Sequence, residues 1–172
     1  MKRLLFYLVI LLQLFVLLFL IFQFEKIDQT GHEVKIQTLS SDFPVYDDFI
    51  RSDLYVDYDI NKIASDKWND SLPSDYNSRV YVLLQKDKMN VYRTREASAD
   101  KLEAKGEDEA VLVGTYQYYD VDRDVYYVNY GFEKIKGVDQ FGGFKQTDQL
   151  IVTLLIGKWG QYKVINIEKW NE

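Results

Sequence analysis

Residues 49–60 read Phe-Ile-Arg-Ser-Asp-Leu-Tyr-Val-Asp-Tyr-Asp-Ile. Leu54, Val56, Tyr58 and Ile60 share one side of an extended chain, and Tyr55, Asp57 and Asp59 take the other. Successive side chains of a strand point to opposite faces, so this alternation reads as a β-strand with one face buried. No other stretch of the chain shows period two so clearly.

The same pattern recurs on both sides. Upstream, Val34 and Ile36 alternate with Glu33, Lys35 and Gln37, and the Ser40-Ser41-Asp42-Phe43-Pro44 run ends that strand. Downstream, Ile60, Ile63 and Ala64 hint at a helical turn, and residues 66–77, with Pro73, read as loop. Residues 78–86 form a strand through Val80, Val82 and Leu84. A turn at Lys86-Asp87-Lys88 returns it along residues 89–93 as a hairpin. Residues 97–105 hold good helix formers before Gly106 but are charged nearly all round, so a short solvated helix or a loop is expected. Residues 109–119 and 125–135 are two longer strands, joined by Asp120-Val121-Asp122-Arg123-Asp124. Residues 137–148 read as loop, residues 149–156 as a nearly continuous apolar strand. After Gly157-Lys158-Trp159-Gly160, a last strand carries Tyr162, Val164, Ile165 and Ile167. About eight short strands with one or two short helices make an all-β domain, a β-barrel or β-sandwich.

Residues 4–22 stand apart. They hold no charge, Gly or Pro, and Gln13 alone is polar. As a helix they reach about 28 Å, against a hydrocarbon layer of about 30 Å. A cleaved signal peptide has a shorter apolar core and small residues at its cleavage site, and neither is present. The reading is a single uncleaved transmembrane anchor over residues 1–24, a spacer over 25–32 and an extracytoplasmic β-rich domain over 33–172. Lys2 and Arg3 precede the helix, which places the N-terminus in the cytoplasm.

Of 21 basic residues, Lys2 and Arg3 lie before the helix, leaving 19 against 27 acidic ones, a formal charge of −8. Such a domain repels nucleic acid, so no nucleic-acid partner is expected. With no cysteine there is no disulfide or thiolate metal site. His32 is the only histidine, which excludes a two-histidine metal site and disfavours a Ser-His-Asp triad. No cofactor motif is present. The expected contacts are the bilayer, through residues 4–22, and a membrane-protein partner. Gln13 is a candidate for a hydrogen bond to a neighbouring helix.

Several segments resemble an uncharacterised bacterial family named for the motif Gly-Asp-Tyr-x-x-Leu-x-Tyr. Residues 51–58 carry the closing Tyr58, with Val56 in place of Leu, and the opening Gly-Asp-Tyr is not matched. Asp59-Ile60 is similar to the family's acidic-Ile continuation, Arg79-Val80-Tyr81-Val82-Leu83 to its Val-Tyr-Val strand, and Tyr130-Gly131-Phe132-Glu133-Lys134 to its Tyr-Gly-Ile-Glu-basic segment. Residues 149–167 resemble its Val-rich closing pair. The resemblance implies an N-terminal membrane helix and a β-rich outer part. It implies no known activity.

Four sets of side chains are candidates for function. Ser41, with Lys86 as its base, has the order of a membrane Ser-Lys peptidase, although Asp42 stands where a Met is expected; such a lysine needs desolvation to act. Asp120, Asp122 and Asp124 occupy the first, third and fifth positions of a calcium loop, but Val125 and Gly131 replace its Gly and Glu, so a solvated turn is the plainer reading. Tyr116, Tyr118, Tyr126, Tyr130 and Tyr162 are candidates for an aromatic ligand-binding surface, or for cross-strand pairing within the sheet. Glu133 follows Gly131 and is a candidate for half of an acid-base pair with Asp57 or Asp59, or for a surface charge beside Lys134 or Lys163. The expected function is a binding or accessory module without catalysis. The alternative is an envelope hydrolase, such as a degenerate signal-peptidase-like Ser-Lys enzyme.

Overall fold

The computed structural model describes residues 2–39, 53–69, 75–136, 149–157 and 160–170. Helix α1 (Lys2–Thr30) opens the chain, and its part Phe6–Thr30 is long and apolar enough to cross a membrane. The segment read as a spacer continues this helix to Thr30, and only Gly31 separates it from strand β1 (His32–Gln37).

The rest is antiparallel sheet. Strands β2 (Asp53–Tyr55) and β8 (Lys134–Lys136) pair as a ribbon. Strand β1 pairs β9 (Leu150–Ile156), which also pairs β10 (Tyr162–Lys169), giving the order β1-β9-β10. The third sheet has the order β3-β7-β6-β4-β5. Its strands are β3 (Lys62–Ala64), β4 (Arg79–Lys86), β5 (Tyr92–Ser98), β6 (Glu109–Asp120) and β7 (Val125–Asn129). After pairing with β7 through β3, the chain reaches the opposite edge. There Trp68 bridges Ala97 and the Asn69 amide donates to the Ala97 carbonyl at 2.9 Å. One short segment thus touches both edges of a twisted five-stranded sheet and nearly closes it into a barrel.

A single core joins all three sheets. Val34 and Ile36 of β1, Val80, Val82 and Leu84 of β4, and Val152 and Leu154 of β9 are fully buried in it. The alternation read in the sequence sets these inward positions. Val56, Tyr58 and Ile60 are buried as their spacing requires, but the strand is not continuous. It ends at Tyr55, and a 3-10 turn at Asp59–Asn61 redirects the chain into β3. Asn61 caps that turn: its side-chain oxygen accepts from the Tyr58 amide at 2.7 Å, while Tyr58 itself bridges Thr38.

Residues 97–105 take the loop rather than the helix: β5 runs through Ala97, fully buried, to Ser98, and residues 99–105 form neither helix nor strand. A segment charged all round had no apolar stripe to hold a helix on the core. Residues 125–135 are not one strand. Tyr130-Gly131-Phe132-Glu133 interrupts them, with Gly131 at φ +87°, a conformation glycine adopts without a Cβ clash.

Candidate functional site

The break at residues 130–133 organises the densest polar cluster. Glu133 bends back over its own turn, one carboxylate oxygen accepting the Tyr130 amide at 2.6 Å and the other the Gly131 amide at 2.8 Å. The first oxygen also accepts the Asn61 amide group at 2.8 Å, and Asn61 donates as well to the Val128 carbonyl at 2.7 Å. Three tyrosines converge here. Tyr58 donates to the Phe132 carbonyl at 3.2 Å, Tyr130 to the Ile60 carbonyl at 2.8 Å, and Tyr162 to the Gly131 carbonyl at 2.7 Å. Phe132 is ringed by Tyr58, Tyr130 and Tyr162, with centroids 5.1–5.4 Å apart. Burial, reinforced by the nearby Glu133 charge, raises the hydroxyl pKa of all three. Each hydroxyl is therefore a fixed donor, and the cluster's hydrogen bonds run inward to main chain.

A second polar cluster joins three segments through Arg93. Its guanidinium donates to Asp59 and Gln37 and lies 3.4 Å from Asp87. Burial raises the pKa of Asp59 and outweighs the opposing pull of Arg93. Asp87 also accepts the Met89 and Val91 amides at 2.8 and 2.9 Å, shaping the β4–β5 turn. Asp59 is thus committed to Arg93 rather than to Glu133. Among the described residues, no cluster of acidic or histidine side chains is arranged to hold a metal ion.

Two of the three aspartates of the β6–β7 turn, Asp120 and Asp124, are engaged in its geometry. Asp120 accepts the amides of Asp122 and Arg123 at 3.1 and 3.2 Å. Asp124, at φ +54°, accepts the Ser65 hydroxyl at 2.6 Å and the Tyr119 hydroxyl at 2.5 Å.

The tyrosines read as one surface divide. A bulge at Gln117, between Tyr116 and Tyr118, reverses which residues of β6 face inward. Tyr116 and Tyr119 pack toward buried Tyr126, which also meets Trp68 at 4.8 Å. Tyr118 faces out, half exposed, stacked at 4.4 Å on Tyr127 across the hairpin. The Lys62 amine lies 5.8 Å from the Tyr127 ring centre, and Arg123 donates to the Tyr127 hydroxyl at 3.4 Å. Tyr130 is buried in the first cluster.

Of the hydrolase candidates, Ser41 lies outside the described residues. Lys86 ends β4, partly exposed, and its amide donates to the Asp108 carbonyl at 2.9 Å. Lys163 is held by Asp28, and Lys134 lies over the exposed Tyr55 ring at 5.1 Å. Sequence reasoning missed Arg93, Asn61 and Tyr127. Asn61 meets Glu133 72 residues away and Arg93 reaches back to Asp59 and Gln37, so no local pattern marks them, whereas Tyr127 meets Arg123 and Tyr118 within its own hairpin.

A shallow cleft of about 270 Å³ lies at the far end of the three-stranded sheet, between Lys35, Met89, Val91, Ile151, Glu168 and Trp170. Lys35 and Glu168 pair across it at 3.4 Å.

A family model described as GDYXXLXY protein matches residues 13–162, most of the chain, and the chain belongs to that family. No curated protein and no solved structure matches it.

Proposed function

We propose that this GDYXXLXY-family chain is a single-pass membrane protein whose β domain, outside the cytoplasmic membrane, binds a partner protein and performs no catalysis. The apolar helix supplies the anchor, and Lys2 and Arg3 favour a cytoplasmic N-terminus. The observation that carries the binding role is the outward Tyr118–Tyr127 stack with Lys62 and Arg123 against it. Paired rings offer rigid apolar area at low entropic cost, and the two cations suit a partner that presents carboxylates. The carboxylates argue the same way: Glu133, Asp124 and Asp59 serve turns and ion pairs. A reactive site would leave such groups facing a cleft.

A photo-crosslinking amino acid at Tyr118, in cells expressing the full chain, tests this reading. A discrete crosslinked membrane protein is expected, its yield falling at least tenfold when Arg123→Glu is added. Recovery of lipid and bulk protein alone would overturn it.

A further inference from the structure

The junction between helix and sheet is built as a joint without slack. Ile27 is 3% exposed, on a helix whose described apolar residues upstream are all exposed. Gly31 supplies the close approach: a Cβ there would meet the Ile27 carbonyl at 2.4 Å and Leu155 at 3.2 Å, whereas one on Gly157 would make ordinary contact, 3.6 Å from two Ile27 carbons. One residue further, Asp28 takes the Lys163 amine on both carboxylate oxygens, at 2.7 and 2.8 Å. An exposed ion pair adds little stability, but beside a buried contact it sets rotation about the helix axis. The Gly31 amide donates to the Ile27 carbonyl at 2.8 Å, and β1 begins at the next residue.

The height of this joint follows from helix geometry. The apolar run ends at Phe22, and Lys26, one turn later, lays its amine over the Phe22 ring, 4.9 Å from the ring centre, which marks the edge of the apolar layer. Ile27 is five residues past Phe22, a rise of about 7.5 Å. The headgroup layer is about 5–7.5 Å thick on each side. Gly157 lies beside Ile27, so the start of the β9–β10 turn lies at headgroup level. Along β9, Ile151, which lines the cleft with Met89, is five residues from Ile156, about 17 Å along the strand.

We propose that α1 and the β1-β9-β10 sheet form one rigid body that seats Gly157, Gln161 and Lys163 against the lipid headgroups and holds the Met89 end of the domain away from them. This rests on the reading of α1 as a membrane span. The occupant of the seated surface is the headgroup layer of the membrane that holds the helix, not a second protein.

The chain has no cysteine, so Val16→Cys, Gln161→Cys, Ile165→Cys and Met89→Cys each accept one fluorophore. The labelled full chain is placed in phosphatidylcholine vesicles with a nitroxide on the headgroup or on the acyl chain. Headgroup quenching is expected to be at least threefold stronger at Gln161 than at Met89, with Ile165 between them. Equal quenching at Gln161 and Met89, with Val16 quenched by the acyl-chain nitroxide, overturns the seating and leaves the span intact. Absence of quenching at Val16 overturns both.

Discussion

Two groups of tyrosines occupy the domain, and their hydroxyls go to opposite ends. Around the 130–133 turn, Tyr58, Tyr130 and Tyr162 each donate to a main-chain carbonyl, and their rings close on Phe132. On the β6–β7 hairpin, Tyr118 opposes Tyr127 and Tyr119 opposes Tyr126 in register, and both pairs stack at 4.4–4.5 Å. The first group completes the backbone hydrogen bonds of a broken strand. The second covers its hairpin with ring area and leaves Tyr118 to solvent. An abundance of tyrosine is therefore not one signal. A main-chain acceptor for the hydroxyl separates a residue that holds the fold from one whose exposed ring can meet a partner.

The sharpest way to break this contrast is to remove the carboxylate under the first group. Glu133→Ala leaves the Tyr130 amide without its acceptor and takes one acceptor each from Gly131 and Asn61. A hydrogen bond to a charged group contributes about 1.5–3 kcal/mol, and an orphaned donor costs more than the bond it lost. We expect about 3 kcal/mol of destabilisation, a Tm lower by about 10 °C, from thermal unfolding of the full chain in detergent. A loss below about 1 kcal/mol would mean that the turn holds without its carboxylate.

A finer comparison removes one oxygen from each group. Tyr130→Phe strands the Ile60 carbonyl in the core and should cost about 1 kcal/mol. Tyr118→Phe keeps the stacked ring on an exposed face and should stay within about 0.5 kcal/mol. Denaturant midpoints at constant slope measure both. Equal losses would erase the distinction between the groups.

Much of the fold was legible because a sheet with one wet face writes itself as alternation. Val34, Ile36, Val80, Val82 and Leu84 were read as inward and are buried. What period two cannot carry is a change of phase. The bulge at Gln117 adds one residue and sends Tyr116 and Tyr118 to different surroundings, so an aromatic surface read across it came apart. The 3-10 turn at Asp59–Asn61 and the turn at Gly131 likewise depend on Asn61 and Glu133 meeting across 72 residues of chain. Gly131 was the one local mark of that break. Its neighbour Glu133 was singled out, but for chemistry rather than for the turn it caps. The helix was plain from composition, whereas its continuation to Thr30 depends on where Ile27 packs.

The smallest effect lies within the second group and has two ends on the pH scale. Asp124 accepts the Ser65 and Tyr119 hydroxyls, and these bonds hold its carboxyl below the ordinary 3.8. Its contribution to stability is therefore complete above that value and fades as pH falls through the lowered one. The same bond to Asp124 pushes the Tyr119 hydroxyl up from 10.0 to about 12. Below its unfolded value Tyr119 contributes fully, and as pH rises toward 12 the unfolded chain gains by ionising first. The stability difference between wild type and Asp124→Ala should thus be flat from about pH 5 to 9 and shrink at both extremes. Denaturant unfolding across pH measures the acid side, and tyrosinate absorbance follows the alkaline side, where one tyrosine of the variant should titrate earlier, closer to 10.0 than to 12. No such change at either end would detach the Asp124 bonds from the hairpin. Tyr119 would then hold its place by stacking on Tyr126 alone, and the two tyrosine groups would differ by more than the structure implies.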